Sequence, residues 1–221
     1  MVINDSRIMK LDFIDENFLQ ICKKKLILVG CGGVGSYLCY FLVKSGFENL
    51  IIIDHDKVEE SNIERQNFTL EDIGKYKVDA IKELCIKTSK NSNITVIKDK
   101  LTSKNLDLLK GYDLIVDCTD NFETRDLINS FCKKNKKNWL YNGAIKGKIV
   151  SYLFDNNQNI YEMYFKNKKN EKASFSGILP VIPSMVAGLA HINILKYFYN
   201  KEIKFNKIDF WNNYFYSFEF K

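Results

Sequence analysis

The chain has 221 residues, 46% of them hydrophobic, which is enough for one substantial α/β core and excludes a mostly disordered protein. Its 33 basic and 27 acidic residues give a net charge of +6. Because only Arg7, Arg65 and Arg125 are arginines, the excess of positive charge comes from lysine. This composition favours a solvated surface over a nucleic-acid-binding surface. We see no signal peptide and no apolar run near the roughly 20 residues of a membrane span, so we expect a cytoplasmic protein without membrane contact.

The first part of the chain is predicted to alternate strands and helices. Residues 1–24 mix apolar and charged positions at helical spacing, which predicts an N-terminal helical arm. Strands are predicted at Lys25–Gly30, Asn49–Asp54, Ile94–Ile97, Tyr112–Asp117 and Trp139–Asn142. Helices are predicted from the glycines after residue 30 to Gly46, from Gly74 through Ile86, over Leu101–Leu109 and over Asn121–Lys134. This order predicts a doubly wound, mainly parallel Rossmann-like sheet with helices on both faces, whose ligand site lies at the carboxyl ends of the strands.

The second part of the chain is predicted to extend the sheet with antiparallel strands. Lys148–Phe154 and Ile160–Phe165 have strand patterns, and the polar stretch Lys166–Lys172 predicts a mobile loop. A helix over Ser184–Tyr199 and an aromatic strand over Ile208–Phe220 are predicted to complete the chain. We therefore expect a single domain over residues 1–221, with a nucleotide-binding core at 25–147 and the antiparallel extension at 148–221.

A glycine turn lies between the first strand and the first helix. Its glycines are Gly30, Gly32, Gly33 and Gly35. Such a turn lets the backbone approach phosphate and directs a helix N-terminus at its negative charge. Asp54 ends the next strand, at about the separation where an acidic residue binds ribose hydroxyls. The turn and the acid together predict adenosine binding without choosing the cofactor.

Two cations follow Asp54 near the predicted strand ends. Arg65 lies on a loop and Lys77 at a helix start, where both would reach a polyphosphate. A guanidinium fork and a point-charge ammonium suit the β- and γ-phosphates of a triphosphate, where they would stabilise charge as pyrophosphate leaves. Arginine is scarce here, which favours a specific role for Arg65, whereas Lys77 alone is equally compatible with a solvated lysine.

Two carboxylates flank the end of the fourth strand, at the next position around the same crevice. A carboxylate of Asp117 or Asp120 there would hold Mg²⁺ against phosphates. Asp120 directly precedes a helix, so a role as its N-cap stays open. Arg125, on that helix, is predicted to form a structural ion pair rather than to act in catalysis.

The cysteines and histidines give mostly structural predictions. The six cysteines contain no CxxC pair, which predicts buried free thiols and no zinc site. His191 lies in an apolar helix and is predicted to be a core residue, while His55 has no clear role.

The ordered motifs resemble the ThiF/MoeB/HesA family, the bacterial relatives of ubiquitin-activating enzymes. The resemblance covers Lys25 to about Leu195. The matching motifs are the glycine turn, Asp54-His-Asp56, Ser61-Asn62-Ile-Glu-Arg65-Gln66, Gly74-x-x-Lys77, Asp117-Cys-Thr-Asp120-Asn121 and Asn142-Gly-Ala. The resemblance implies ATP-dependent adenylation of a carboxylate, typically the C-terminal glycine of a ubiquitin-like sulfur carrier or of a small peptide, with residues 148–221 forming the acceptor and dimer side.

The resemblance also implies roles for individual residues. Gly33 would contact phosphate and Asp54 the ribose, while Asn62, Arg65 and Lys77 would surround the polyphosphate. Asp120 would hold Mg²⁺, with Asn121 beside it, and Arg7 would enter the site of the partner subunit in a homodimer. The remaining predicted nucleotide contacts are Gly30, Gly32, Gly35, Asp56, Ser61 and Gln66. Because no cysteine follows Cys132, we expect the reaction to stop at the acyl-adenylate or to pass it to another molecule.

Three other functions stay open from the sequence. A nicotinamide-dependent oxidoreductase fits the glycine turn and Asp54 but has no evident hydride-transfer partner. A non-catalytic module would recognise a peptide or ubiquitin-like partner, although the presence of Arg65, Lys77 and Asp120 argues against it. The positive charge is compatible with a family member that activates a carboxylate on modified tRNA.

Overall fold

A computed structural model describes residues 7–155, 161 and 177–218 of the chain. Its helices are α1 (Phe18–Ile21), α2 (Gly33–Lys44), α3 (Lys77–Thr88), α4 (Phe122–Asn135) and α5 (Ile182–Phe198). Its strands are β1 (Lys25–Val29), β2 (Asn49–Ile53), β3 (Asn93–Ile97), β4 (Leu114–Asp117), β5 (Trp139–Ile145), β6 (Lys148–Phe154), β7 (Phe205–Asp209) and β8 (Tyr214–Phe218). Single 3₁₀ turns lie at Arg7–Lys10, Glu60–Asn62, Leu70–Asp72 and Leu106–Leu109.

The eight strands form one sheet in the order β3-β2-β1-β4-β5-β6-β7-β8. The strands from β3 to β5 are parallel, and β6, β7 and β8 continue the sheet with antiparallel pairings. The chain moves outward from β1 to β2 and β3, then returns to place β4 on the other side of β1. This reversal opens a crevice at the carboxyl ends of β1 and β4, where ligands of doubly wound sheets bind.

The core lies on both faces of the sheet because the parallel strands are buried on both sides. Leu26 and Leu28 of β1 face a layer built by α2, α3 and α5, whereas Ile27 and Val29 face α4 and its neighbours. All four residues of β4 are buried. Strands that are buried on both faces need a continuous run of apolar residues, as these strands have. The predicted doubly wound, mainly parallel fold is confirmed.

Several predicted elements differ from the structure. The aromatic strand over Ile208–Phe220 is wrong as one element, because β7 and β8 form a hairpin. The helix over Leu101–Leu109 shortens to the 3₁₀ turn Leu106–Leu109, and the N-terminal arm is helical only at Arg7–Lys10 and in α1. The strand over Ile160–Phe165 and the mobile loop over Lys166–Lys172 lie outside the described residues, except that Tyr161 is helical.

None of the helices described is both long and apolar enough to cross a membrane.

Candidate functional site

The glycine turn connects β1 to α2 at the crevice and packs too tightly for side chains. Gly30 has φ +96°, and a Cβ there would lie 2.8 Å from the carbonyl oxygen of Cys118. A Cβ on Gly35 would collide with the carbonyl oxygen of Gly30. The N-cap residue of α2 is Gly32, so no N-cap side chain accepts a hydrogen bond from the first amides of the helix. The amides of the first turn of α2 therefore provide a site for an anion.

Two backbone amides, one of them in the glycine turn, fix the carboxylate of Asp54. Its carboxylate accepts a hydrogen bond of 2.6 Å from the amide of Cys31 and one of 2.8 Å from the amide of Asp56. Burial raises the pKa of the Asp54 carboxyl above its ordinary value, and the two amides oppose that rise. The acid is thus held in a fixed orientation beside the turn, as a hydroxyl-binding residue requires.

Lys77 lies almost buried at the first position of α3. Only 7% of the residue is exposed, and its Nζ lies 2.8 Å from Oδ2 of Asp56. Its amide also donates to the carbonyl oxygen of Asp56. These contacts exclude the solvated lysine that the sequence left open, because a surface lysine would keep its ammonium in water.

Arg65 lies at the end of a loop that the 3₁₀ turn Glu60–Asn62 shapes. Its guanidinium donates to the carbonyl oxygen of Ser61 and pairs with Glu64 at 3.0 Å. Asn62 is buried, and its side-chain oxygen accepts from the amide of Glu59 at 3.3 Å. The turn therefore holds the loop that carries Arg65 against the cleft.

Gln66 brings an unsatisfied acceptor into this region. The side chain is buried, and its Oε1 has no hydrogen-bond partner among the described residues. A Cβ added to Gly32 would lie 3.9 Å from its Nε2. A buried acceptor of this kind is costly unless a ligand or water donates to it, so the site fits a bound polar group.

The end of β4 is fixed by a buried network around Arg125. The guanidinium lies 2.9 Å from Oδ2 of Asp117, and it also donates to the carbonyl oxygens of Thr119 and Asn142. Burial raises the pKa of the Asp117 carboxyl, an effect opposed chiefly by the charge of Arg125. The structure agrees with the ion-pair interpretation of Arg125, and it leaves Asp117 no free face for a metal.

Asp120 differs from Asp117 because its carboxylate is exposed. It forms no hydrogen bond or ion pair with the part of the chain that the structure describes. The N-cap of α4 is Asn121, whose Oδ1 accepts from the amide of Thr124 at 2.9 Å. The N-cap alternative for Asp120 is therefore wrong, and its oxygens are available to a ligand.

These residues surround one cleft of about 1140 Å³. Of the predicted site residues, the cleft is lined by Gly30, Gly32, Gly33, Asp54, Asp56, Arg65, Gln66, Lys77, Asp120 and Asn121. Gly35, Ser61, Asn62 and Arg7 do not line it. Gly35 serves helix–strand packing, and Ser61 and Asn62 support the loop of Arg65. Arg7 lies in the N-terminal 3₁₀ turn.

The sequence missed the opposite wall of the cleft. Lys146, Lys148 and Lys207 line it, together with Tyr141 and Val150. Lys148 and Lys207 become neighbours only through the antiparallel register of β6 and β7, which local spacing does not reveal. Tyr141 lies under the guanidinium of Arg125 at 4.6 Å from its ring centroid.

The prediction of buried free thiols agrees with the structure, whereas His191 is only partly buried and its Nε2 has no hydrogen-bond partner among the described residues. All six cysteines are buried and free. Burial lowers the pKa of His191 to about 4, and Phe47 packs against its ring at 6.3 Å between centroids. His55 is exposed, with Nε2 at 3.4 Å from Asp56.

The fold is that of a doubly wound α/β protein. Its crevice holds a glycine turn, a fixed acid, two cations and an exposed carboxylate. The sequence matches the ThiF family over residues 5–221, and the chain belongs to that family.

Named relatives show the same relationship. The chain is 32% identical over 227 residues to ubiquitin-like modifier-activating enzyme 5 of Drosophila mojavensis, covering 88% of this chain and 56% of that protein. It is 27% identical over 186 residues to a probable molybdopterin-synthase adenylyltransferase of Porphyra purpurea, covering 80% of this chain and 48% of the relative. The chain thus spans about half the length of these relatives.

Solved structures share the fold. A crystal structure of E. coli MccB with AMPCPP and MccA gives a TM-score of 0.80 at 21% identity, covering 98% of this chain and 72% of that one. A structure of E. coli MccB with ATP gives a TM-score of 0.77 at 22% identity, covering 91% of this chain and 65% of that one.

Proposed function

We propose that this protein is an ATP-dependent adenylyltransferase that activates a C-terminal carboxylate. The acceptor is a ubiquitin-like sulfur carrier or a small peptide, and the products are an acyl-adenylate and pyrophosphate. One observation carries the proposal: the exposed carboxylate of Asp120 lines the same cleft as the glycine turn, Arg65 and Lys77. Cations for the phosphates and a carboxylate for a metal ion are the groups that stabilise the charge of a departing pyrophosphate.

The proposed chemistry needs no protein nucleophile. An oxygen of the acceptor carboxylate attacks the α-phosphorus of ATP, and the bond to the bridging oxygen breaks with its electron pair leaving on pyrophosphate. The acceptor is already anionic, so no proton has to be removed. Positioning and charge stabilisation then supply the rate.

Each charged group has a place in this reaction. The free amides at the start of α2 bind phosphate, and Asp54 binds the ribose hydroxyls. Arg65 and Lys77 neutralise the charge that develops on the departing pyrophosphate. Lys77 must exchange its contact with Asp56 for a phosphate oxygen, which keeps the ammonium paired throughout.

The donor set also fits a magnesium ion. Asp120 offers an exposed carboxylate, and carboxylate oxygens together with phosphates are the usual ligands of Mg²⁺. When bound, the ion would neutralise phosphate charge. Asp117 does not contribute, because Arg125 and Thr119 occupy its oxygens.

The acceptor class rests on the relatives. Two are named as a molybdopterin-synthase adenylyltransferase and a ubiquitin-like modifier-activating enzyme, and MccB has been crystallised with MccA. We propose that the active unit is a homodimer, with Arg7 of one subunit completing the site of the other. The family match does not support the nicotinamide alternative.

The test is exchange of labelled pyrophosphate into ATP in the presence of candidate acceptors with free C-termini. We expect Mg²⁺-dependent exchange, which Asp120→Asn lowers by about 100-fold or more while ATP affinity changes little. Asp107→Asn is the matched control, because Asp107 is exposed and outside the cleft, so it should keep full exchange. Undiminished exchange in Asp120→Asn would contradict the assigned metal role. ATP binding is measured alongside, because a wild-type protein that binds ATP but supports no exchange with any acceptor would be a non-catalytic module.

A further inference from the structure

The cleft has two walls of different charge. The wall at the carboxyl ends of the parallel strands carries side chains of both charges. These are Asp54, Asp56 and Asp120 beside Arg65 and Lys77. The wall built by β5, β6 and β7 is different. Among the described residues of this wall that line the cleft, the charged ones are Lys146, Lys148 and Lys207, and none is acidic; Asp209 of β7 does not line the cleft.

The strand register places these lysines on one surface. Lys207 of β7 lies directly opposite Val150 of β6, and Lys148 is two residues from Val150. Side chains two residues apart on a strand share a face, so Lys148 and Lys207 are diagonal neighbours. Lys146 begins the turn between β5 and β6 and is exposed at the same wall. We call Lys146, Lys148 and Lys207 the lysine wall.

Most of this charge is not used by the protein itself. Lys148 lies 3.3 Å from Asp209. Neither Lys146 nor Lys207 forms an ion pair with any residue in the described ranges. Cations gathered in a cleft raise the local concentration of a ligand of opposite charge.

The position of the lysine wall points to the acceptor rather than to ATP. The proposed reaction takes place at the crevice between β1 and β4, where the glycine turn lies. Strands are spaced about 4.8 Å apart, so β6 and β7 lie about 10 and 15 Å from β4. The phosphates have Arg65 and Lys77 beside the glycine turn as their cations, whereas an extended peptide covers the distance to the lysine wall in about three to five residues at about 3.3 Å per residue.

We infer that the lysine wall binds acidic side chains of the acceptor about three to five residues before its C-terminal carboxylate. The inference rests on the proposed function, because it takes the reacting carboxylate to lie at the glycine turn. The acceptor would thus have an extended C-terminal segment that carries Glu or Asp. The register continues outward from Lys207 to Tyr216 of β8, which is 50% exposed and would flank the next part of the segment.

The test uses fluorescein-labelled dodecapeptides of glycine and serine that end in a free carboxylate. A pair of glutamates is moved along the series, and each peptide has a matched form with two glutamines. Binding is measured by anisotropy at low salt with ADP present, so that no acyl-adenylate forms. We expect the glutamate form to bind on the order of tenfold more tightly when the pair lies three to five residues from the C-terminus, and little preference elsewhere.

Charge reversal identifies the responsible residues. Lys146→Glu with Lys207→Glu should abolish the preference for glutamate, and the single change Lys104→Glu should keep it. Lys104 is exposed and outside the cleft, so it controls for loss of positive charge. Thermal unfolding and ATP binding of the double variant should match those of wild type, which shows that the fold and the nucleotide site are intact.

Three results would overturn the inference. One is equal affinity for the glutamate and glutamine forms at every position. Another is an equal loss of preference in Lys104→Glu. The third is displacement of the peptide by an oligonucleotide of the same charge as effectively as by unlabelled peptide, which would indicate a general polyanion surface. Pyrophosphate exchange measured in parallel separates the two proposals, since failed exchange with an intact glutamate preference counts against the adenylyltransferase activity alone.

Discussion

Replacement of Arg125 by methionine tests the network that fixes the end of β4. Arg125 is 5% exposed, and its guanidinium pairs with Asp117 at 2.9 Å and donates to the carbonyl oxygens of Thr119 and Asn142. Arg125→Met keeps most of the volume but leaves the Asp117 carboxylate buried without its partner. Breaking a buried ion pair in this way costs about 3–5 kcal/mol.

The assay is equilibrium unfolding in urea. With an m value of about 3 kcal/mol per M, the expected loss lowers the midpoint by roughly 1–1.7 M. The control is Arg125→Met combined with Asp117→Asn, which removes both charges and should recover a large part of the loss. A loss below about 1 kcal/mol in the single variant, or no recovery in the double variant, would refute the assignment of a buried, mutually dependent pair.

Two further predictions concern the histidine in α5 and the glycine turn. The pKa of His191 is about 4 in the folded protein against an ordinary value of 6.5, so the unfolded chain binds more protons between these values and stability falls as pH decreases. Between pH 7 and pH 5, this proton uptake lowers the free energy of unfolding by about 2 kcal/mol, and His191→Leu should remove that loss. The urea midpoints of both proteins at the two pH values measure the effect. An unchanged pH dependence in the variant would contradict the assignment. Gly35→Ala should destabilise by about 1–3 kcal/mol and weaken ATP binding, because its Cβ would collide with the carbonyl oxygen of Gly30. Gly188→Ala in α5, where a Cβ meets nothing within 4 Å, should be neutral or stabilising, and equal effects of the two substitutions in thermal unfolding would count against the tight-turn explanation.

The nucleotide end of the cleft could be predicted because its residues follow the strands in a fixed order. Short apolar strands separated by helices imply a parallel sheet, and parallel strands bring their carboxyl ends to one edge. Asp54, Lys77 and Asp120 are therefore placed around one cleft by topology alone. Local signals were also enough for the glycine turn, where steric collisions at Gly30 and Gly35 exclude other residues.

The opposite end could not be predicted, because it depends on long-range register. Lys148 and Lys207 are far apart in the sequence and meet only through the pairing of β6 with β7. The aromatic run after residue 208 has the pattern of one strand, because Asn212 and Asn213 lie between strand-forming aromatic residues. The chain nevertheless reverses there, since Asn213 has φ +57°, which asparagine tolerates. The motif of Asn62 predicts a contact with the polyphosphate, and the sequence leaves Asp117 open as an alternative magnesium ligand. The hydrogen bonds of the two residues instead support the loop and the end of β4.

The most direct test of the account follows the fate of the phosphates of ATP. The protein is incubated with Mg²⁺, a candidate acceptor and ATP labelled either at the α- or at the γ-phosphate, and the acceptor is separated under acidic conditions that preserve an acyl-adenylate. Adenylation predicts that the α label travels with the acceptor and that the γ label appears only in pyrophosphate. Transfer of the γ label to the acceptor would contradict attack at the α-phosphorus, and so would tight NADH binding by a protein that does not bind ATP.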